Sequence, residues 1–174
     1  MKNTKIIAAF PACGKTYYFE NREENNTVLD SDSSQFSWVS VLDEEHEFKN
    51  RGKKDYVEKY VKVRNPEFPK NYIEHIKENI GKVDYIFVST HEVVRKALNE
   101  ANIDFTLVFP EQSLKAEWIG RCFLRGSGEK FCQLIADQWD DWMRQMEEEC
   151  VVNKRDSYRL RHGEYLSDAM KYIG

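Results

Sequence analysis

Residues Ala9-Phe10-Pro11-Ala12-Cys13-Gly14-Lys15-Thr16 have the spacing of a phosphate-binding loop, G-x-x-x-x-G-K-[ST], with alanine at the first glycine position. Pro11, Ala12, Cys13, Gly14, Lys15, Thr16 and Tyr17 form the candidate phosphate cradle. Lys15 would reach the β- and γ-phosphates of ATP, and the Thr16 hydroxyl would hold Mg²⁺. Alanine at the first position is tolerable, because a strand end there needs only a small residue. Gly14 is the demanding position, where backbone must approach phosphate. A chance match in a strand–turn–helix unit is the alternative. Cys13 reads as a small filler; oxidation sensitivity is its alternative, since a helix N-terminus lowers a thiol's pKa.

A second group is Asp30 and Asp32 in "VLDSDSSQFSW". Carboxylates two residues apart point the same way on an extended chain. Asp30 would hold Mg²⁺ or its waters, and Asp32 would orient or deprotonate an acceptor hydroxyl. The alternative is an Asp/Ser-rich turn that caps the next helix. The run "YIFVST" ends in Ser89, Thr90 and His91 without an aspartate, which favours Asp30 as the metal carboxylate. His91 itself reads as a helix-start residue. Arg121 and Arg125 stand four apart and share a helix face, with Ile119 and Phe123 nearly opposite as an apolar anchor. With Gly126 and Gly128 as a hinge, 112–130 reads as a lid whose two arginines act on transferring phosphate. A solvated basic face is the alternative.

Strand ends must position these groups. "KIIAAF" (5–10), "DYIFVST" (84–90) and "FTLVFP" (105–110) are short apolar runs of the kind buried on both faces. "TVLDSD" (27–32) is a fourth strand and "YRLR" (158–161) a fifth. Helical spacing recurs at Tyr72, Ile73, Ile76 and Ile80, then at Val94, Ala97, Leu98 and Ala101. A third stripe, Phe131, Ile135, Trp139, Trp142 and Met146, reads as core packing. Strands alternating with helices imply an α/β fold, three-layered, with a five-stranded parallel sheet, helices on both faces and a helical lid. The chain reads as one domain, 1–174, in which 43–80 is an acceptor-side insertion. Arg64, Lys70 and Tyr72 are candidate acceptor contacts there, and the loop near Gly163 would cover the adenine.

Of the 174 residues, 41% are hydrophobic and 32% charged, with a formal net charge of −4. Such a composition excludes wholesale disorder, and general nucleic-acid binding is not expected. Cys13, Cys122, Cys132 and Cys150 make no C-x-x-C pair, so neither zinc nor a disulfide framework is expected. The first apolar run, Ile6 to Phe10, is too short to span a membrane. The expected location is cytoplasmic.

Taken together, "AFPACGKT", "DSD" and the Arg121/Arg125 helix resemble the P-loop kinase superfamily of small-molecule kinases, the adenylate-kinase-like group. "DSD" is similar to the shikimate and gluconate kinase branch, where such aspartates serve Mg²⁺ and the acceptor hydroxyl. The Gly-Gly turn that shikimate kinases carry after the third strand is missing, which counts against shikimate. "RLRHGEYLSDAM" with "NPEFPKNYIEHIKENIG" resembles uncharacterised P-loop proteins of phages and their hosts. The resemblance implies an ATP- and Mg²⁺-dependent phosphotransferase acting on a small-molecule acceptor, a nucleoside or nucleotide first. The alternatives are a P-loop NTPase that hydrolyses or senses nucleotide while binding a protein, and a nucleotide-independent interaction domain.

Overall fold

The structure is a computed structural model that describes residues 2–173. Five strands form one parallel sheet: β1 (Lys5–Ala9), β2 (Val28–Asp30), β5 (Tyr85–Val88), β6 (Thr106–Pro110) and β7 (Ser157–Leu160), ordered β2-β5-β1-β6-β7. Ile6, Ile7, Ala8 and Ala9 are buried in succession, so side chains on both faces of β1 are covered. That burial explains the lack of polar alternation in the run. The covering helices are α1 (Lys15–Glu20), α4 (Lys70–Asn79), α5 (Glu92–Glu100), α6 (Lys115–Leu124), α7 (Glu129–Val152) and α8 (Leu166–Ile173). On α7 the core residues are Cys132, Ile135, Trp139, Met143 and Met146, while Phe131 and Trp142 are half-buried at the flank. No described helix is long and apolar enough to cross a membrane.

The remaining elements are α2 (Ser34–Ser37), β3 (Trp38–Leu42), α3 (Glu44–Asn50) and β4 (Tyr60–Arg64). β3 and β4 pair antiparallel, Trp38 opposite Arg64 and Leu42 opposite Tyr60, with α3 between them. The insertion thus differs from the expected 43–80. It starts at Trp38 and its paired strand ends at Arg64. Helix α4 belongs to the main body, because Tyr72, Ile73 and Ile76 are buried in the core.

At the N-terminal edge of the sheet, Asp84 ties three segments together. Its Oδ2 accepts from Lys2 Nζ at 2.6 Å, Thr27 Oγ1 at 2.7 Å and Thr27 N at 2.8 Å. The Lys2 and Thr27 hydrogen bonds push the Asp84 pKa down to about 2 from the ordinary 3.8. A depressed carboxylate stabilises the fold fully above its unfolded pKa and loses that contribution as pH falls through the folded one. The clamp should therefore hold above 3.8 and fail as pH drops toward about 2. In a carboxyl NMR titration Asp84 should show that low midpoint, and Lys2→Ala should raise it. An ordinary midpoint in the unmutated protein would dissolve the clamp.

Candidate functional site

The sequence order β1, β2, β5, β6 crosses the sheet in both directions from the central β1. Ligands of open α/β sheets bind where strand order reverses, at the C-terminal ends. A cleft of about 810 Å³ opens there. It is lined by Lys15 and Thr16 from the loop after β1, by Asp30 and Asp32 from the end of β2, and by Arg125 from the end of α6. Pro11 also lines it. Ala12, Cys13, Gly14 and Tyr17, also expected in the cradle, are not among its lining residues; Tyr17 is exposed on α1, one residue and about 100° beyond Thr16.

The loop is held from behind. Pro11 O accepts from Trp118 Nε1 at 2.7 Å, Cys13 O accepts from Leu166 N at 2.7 Å, and Phe10 N donates to Val108 O at 2.9 Å. With these carbonyls engaged, the N–H groups of Ala12, Gly14 and Thr16 donate to no acceptor among the described residues. Gly14 has φ +94°, and a Cβ there would meet Tyr165 Cδ1 at 3.3 Å. The backbone therefore demands glycine, and a Cβ would also press on the Tyr165 ring. Lys15 Nζ folds back onto Ala9 O at 2.8 Å. Cys13 is fully buried and burial pushes its thiol pKa up, which removes the oxidation-sensitive alternative.

Asp30 and Asp32 are placed differently. Asp30 pairs with Phe87 of β5, and the ladder runs on through Ser31 N to Phe87 O at 2.9 Å. Tyr72, completely buried, donates its hydroxyl to Ser31 O at 2.7 Å. It thus braces the strand end and is not available as an acceptor contact. Partial burial raises the Asp30 pKa, with Lys15 opposing and Asp32 adding to the rise. A nearby cation relieves such a carboxylate. Asp32 is exposed, and its Oδ1 accepts from Ser34 N at 2.9 Å. The capping turn is thus real, and it leaves Oδ2 for another partner. Among the described residues no three His, Cys, Asp or Glu side chains converge as a metal site. Thr16 and Asp30 suit Mg²⁺, which takes one or two protein oxygens and completes its shell with phosphate and water.

The expected arginine face of α6 needs correction. On α6 the buried residues are Trp118, Arg121 and Cys122, while Phe123 is 75% exposed. The expected anchor and basic edge are partly exchanged. Arg121 lies between two rings, 4.1 Å from the centroid of Trp118 and 4.0 Å from that of Tyr165, and its Nη2 pairs with Glu117 Oε1 at 2.5 Å. It does not line the cleft. With two rings about 4 Å from its guanidinium and Glu117 paired to it, Arg121 packs behind the loop, outside the cleft where a catalytic arginine was expected. Gly126, at φ +77°, ends α6: its N–H bonds Phe123 O and Ser127 N–H bonds Cys122 O, both at 3.0 Å. That paired pattern is a Schellman cap, which ends the helix at the expected hinge. Arg125 remains at the cleft, its Nε on Ser127 Oγ at 2.6 Å.

Of the candidate acceptor contacts, Arg64 lines the cleft, stacked on Trp38 at 4.2 Å. Lys70 lies 4.0 Å from Glu74 along the exposed side of α4, outside the cleft. The sequence reading missed Arg95, a buried cleft residue on α5. Its signal was a charge beside Val94 on the apolar face of that helix. His91, at the start of α5, also lines the cleft. The loop near Gly163 is tied to α6: Glu117 accepts from Gly163 N at 3.1 Å and bonds His162 Nδ1 at 2.7 Å. No family model matches this chain, and comparison with curated proteins and with solved structures finds no similar one.

Proposed function

We propose that this protein is an ATP-dependent phosphotransferase acting on a small hydroxyl or phosphate acceptor, a nucleoside or nucleotide first. One observation carries the reading: a single cleft at the C-terminal end of the parallel sheet holds Lys15, Thr16, Asp30, Asp32 and Arg125. The free N–H groups of Ala12, Gly14 and Thr16 suit phosphate oxygens, and Lys15 adds a positive charge among them. Thr16 and Asp30 would hold Mg²⁺, which neutralises charge on the phosphates when bound. Asp32, anchored through Oδ1, would accept the acceptor's proton on Oδ2. Arg125 would face the charge spread over the transferring group.

The experiment is ADP release measured over a panel of nucleosides, nucleotides and hydroxylated metabolites. Asp32→Asn should lower kcat about 10²-fold with ATP affinity retained. Asp30→Asn should instead raise the Mg²⁺ concentration needed for half-maximal rate. Wild-type behaviour of both variants would leave the pair as a turn and cap only. ATP hydrolysis indifferent to every acceptor would assign the chain to the NTPase alternative.

A further inference from the structure

Arg95 is 5% exposed and lies in the cleft wall. Its Nη1 donates to Thr90 O, but its Nε has no hydrogen-bond acceptor. The carboxylate facing it is Glu149, whose Oε2 is 3.9 Å from that Nε. Glu149 is shared. Arg155 Nε stands 3.9 Å from its Oε1, which also accepts from Asn99 Nδ2 at 2.9 Å and Asn153 Nδ2 at 2.8 Å. Two buried guanidiniums therefore divide one carboxylate, and only Arg155 has a second acid, Asp104 at 3.1 Å. A buried charge is costly unless it is paired and hydrogen-bonded. Arg95 is left with half a partner; its Nε is closed off against Glu149, while its Nη2 donates to no described group and the side chain lines the cleft.

A second cation faces the same cleft. Arg64, at the end of β4, makes no ion pair and no side-chain hydrogen bond among the described residues; its guanidinium rests on Trp38. His91 stands among these cations. Burial lowers its pKa, and the charges of Arg64, Arg95 and Lys15 lower it further, against Asp32 alone. Glu92, next along α5, is taken by Lys96 at 2.6 Å. Positive charge thus outweighs negative charge beside His91, with Asp32 alone opposing three cations.

We propose that the cleft contains a second anion subsite, formed by Arg95 and Arg64 beside His91, and that the acceptor accordingly carries an anionic group of its own, a phosphate monoester or a carboxylate. The term acceptor rests on the phosphotransferase reading; the anion subsite does not. A neutral nucleoside or sugar would bring no charge to Arg64, which has no ion pair, or to Arg95, which shares its one carboxylate, so the subsite selects against neutral acceptors. Trp38 and Phe68 line the same cleft and offer apolar surface to the rest of the molecule.

The test separates this subsite from the loop. Lys15→Ala protein is titrated by calorimetry with inorganic phosphate and, separately, with acetate, in low salt. The ion that binds more tightly distinguishes a phosphate ester from a carboxylate. Arg64→Ala and Arg95→Met are then each added to Lys15→Ala, and each should weaken that binding about tenfold, the worth of a charged hydrogen bond. Arg64 is exposed, so its variant is informative even if Arg95→Met fails to fold. Unchanged affinity in Arg64→Ala, or no binding of either ion, overturns the proposal. In the unmutated background, Arg64→Ala should raise KM for anionic acceptors more than kcat falls. Absence of ADP release with every acceptor would defeat the phosphotransferase reading while arginine-dependent anion binding stood. Turnover of neutral acceptors, insensitive to Arg64→Ala, would do the reverse.

Discussion

Lys15→Ala is expected to lower ATP turnover by about two to three orders of magnitude, the cost of removing one preorganised donor from developing negative charge. Stability should hardly change. Lys15 Nζ donates to Ala9 O at 2.8 Å from a partly exposed position, and one such bond contributes about 1 kcal/mol. The melting temperature of the nucleotide-free protein should therefore move by only a few degrees. A second consequence follows from electrostatics. Lys15 opposes the rise of the Asp30 pKa, so its loss should push that carboxyl higher still. The residual activity of Lys15→Ala should then need higher pH, as well as more Mg²⁺, than the wild type. Turnover at the wild-type rate would remove the loop from the mechanism.

Trp118→Ala should destabilise the fold by about 3–5 kcal/mol, the range for deleting a large buried aromatic. Trp118 is fully buried, its ring centroid 4.1 Å from the Arg121 guanidinium and 6.4 Å from Trp139. Trp118→Phe separates packing from hydrogen bonding. It keeps most of the apolar volume but frees Pro11 O, which Trp118 Nε1 holds at 2.7 Å. That variant should fold and yet bind ATP more weakly, because the loop carbonyl is no longer turned away from the phosphates. Urea denaturation and ATP titration of the two variants distinguish the effects. ATP affinity unchanged in Trp118→Phe would reduce Trp118 to packing alone.

How much of this was legible beforehand depends on how local each feature is. Lys15 and Thr16 are contiguous, and Asp30 sits at the end of an apolar run, so motif and strand pattern sufficed to put the three at one end of the sheet, where they line one cleft. All five strands of the parallel sheet were readable for the same reason. The orientation of α6 was not. Ile119 and Phe123 looked like the anchor, but the packing face is chosen by Pro11 and Tyr165, which lie far away in the chain. Contacts with Pro11 and Tyr165 turn Trp118 and Arg121 inward and leave Phe123 outside. The hairpin of β3 and β4 did leave a signal, the alternation of Val39, Val41, Val61 and Val63, which the surrounding charges obscured. Arg95 was hidden by its type: a charged residue on a helix is ordinarily read as solvated, and burial was needed to single it out.

The bond from Leu166 N to Cys13 O and the Tyr165 ring against Gly14 have a kinetic meaning. They join the start of α8 to a loop far earlier in the chain, and closing so long a segment is entropically slow. During synthesis β1 can leave the ribosome early, yet the back wall of its loop exists only once α8 has emerged and docked. A nascent chain, however much of its sheet has formed, should therefore handle nucleotide poorly. Competence would arrive with α8, so this loop matures well after the strand that leads into it.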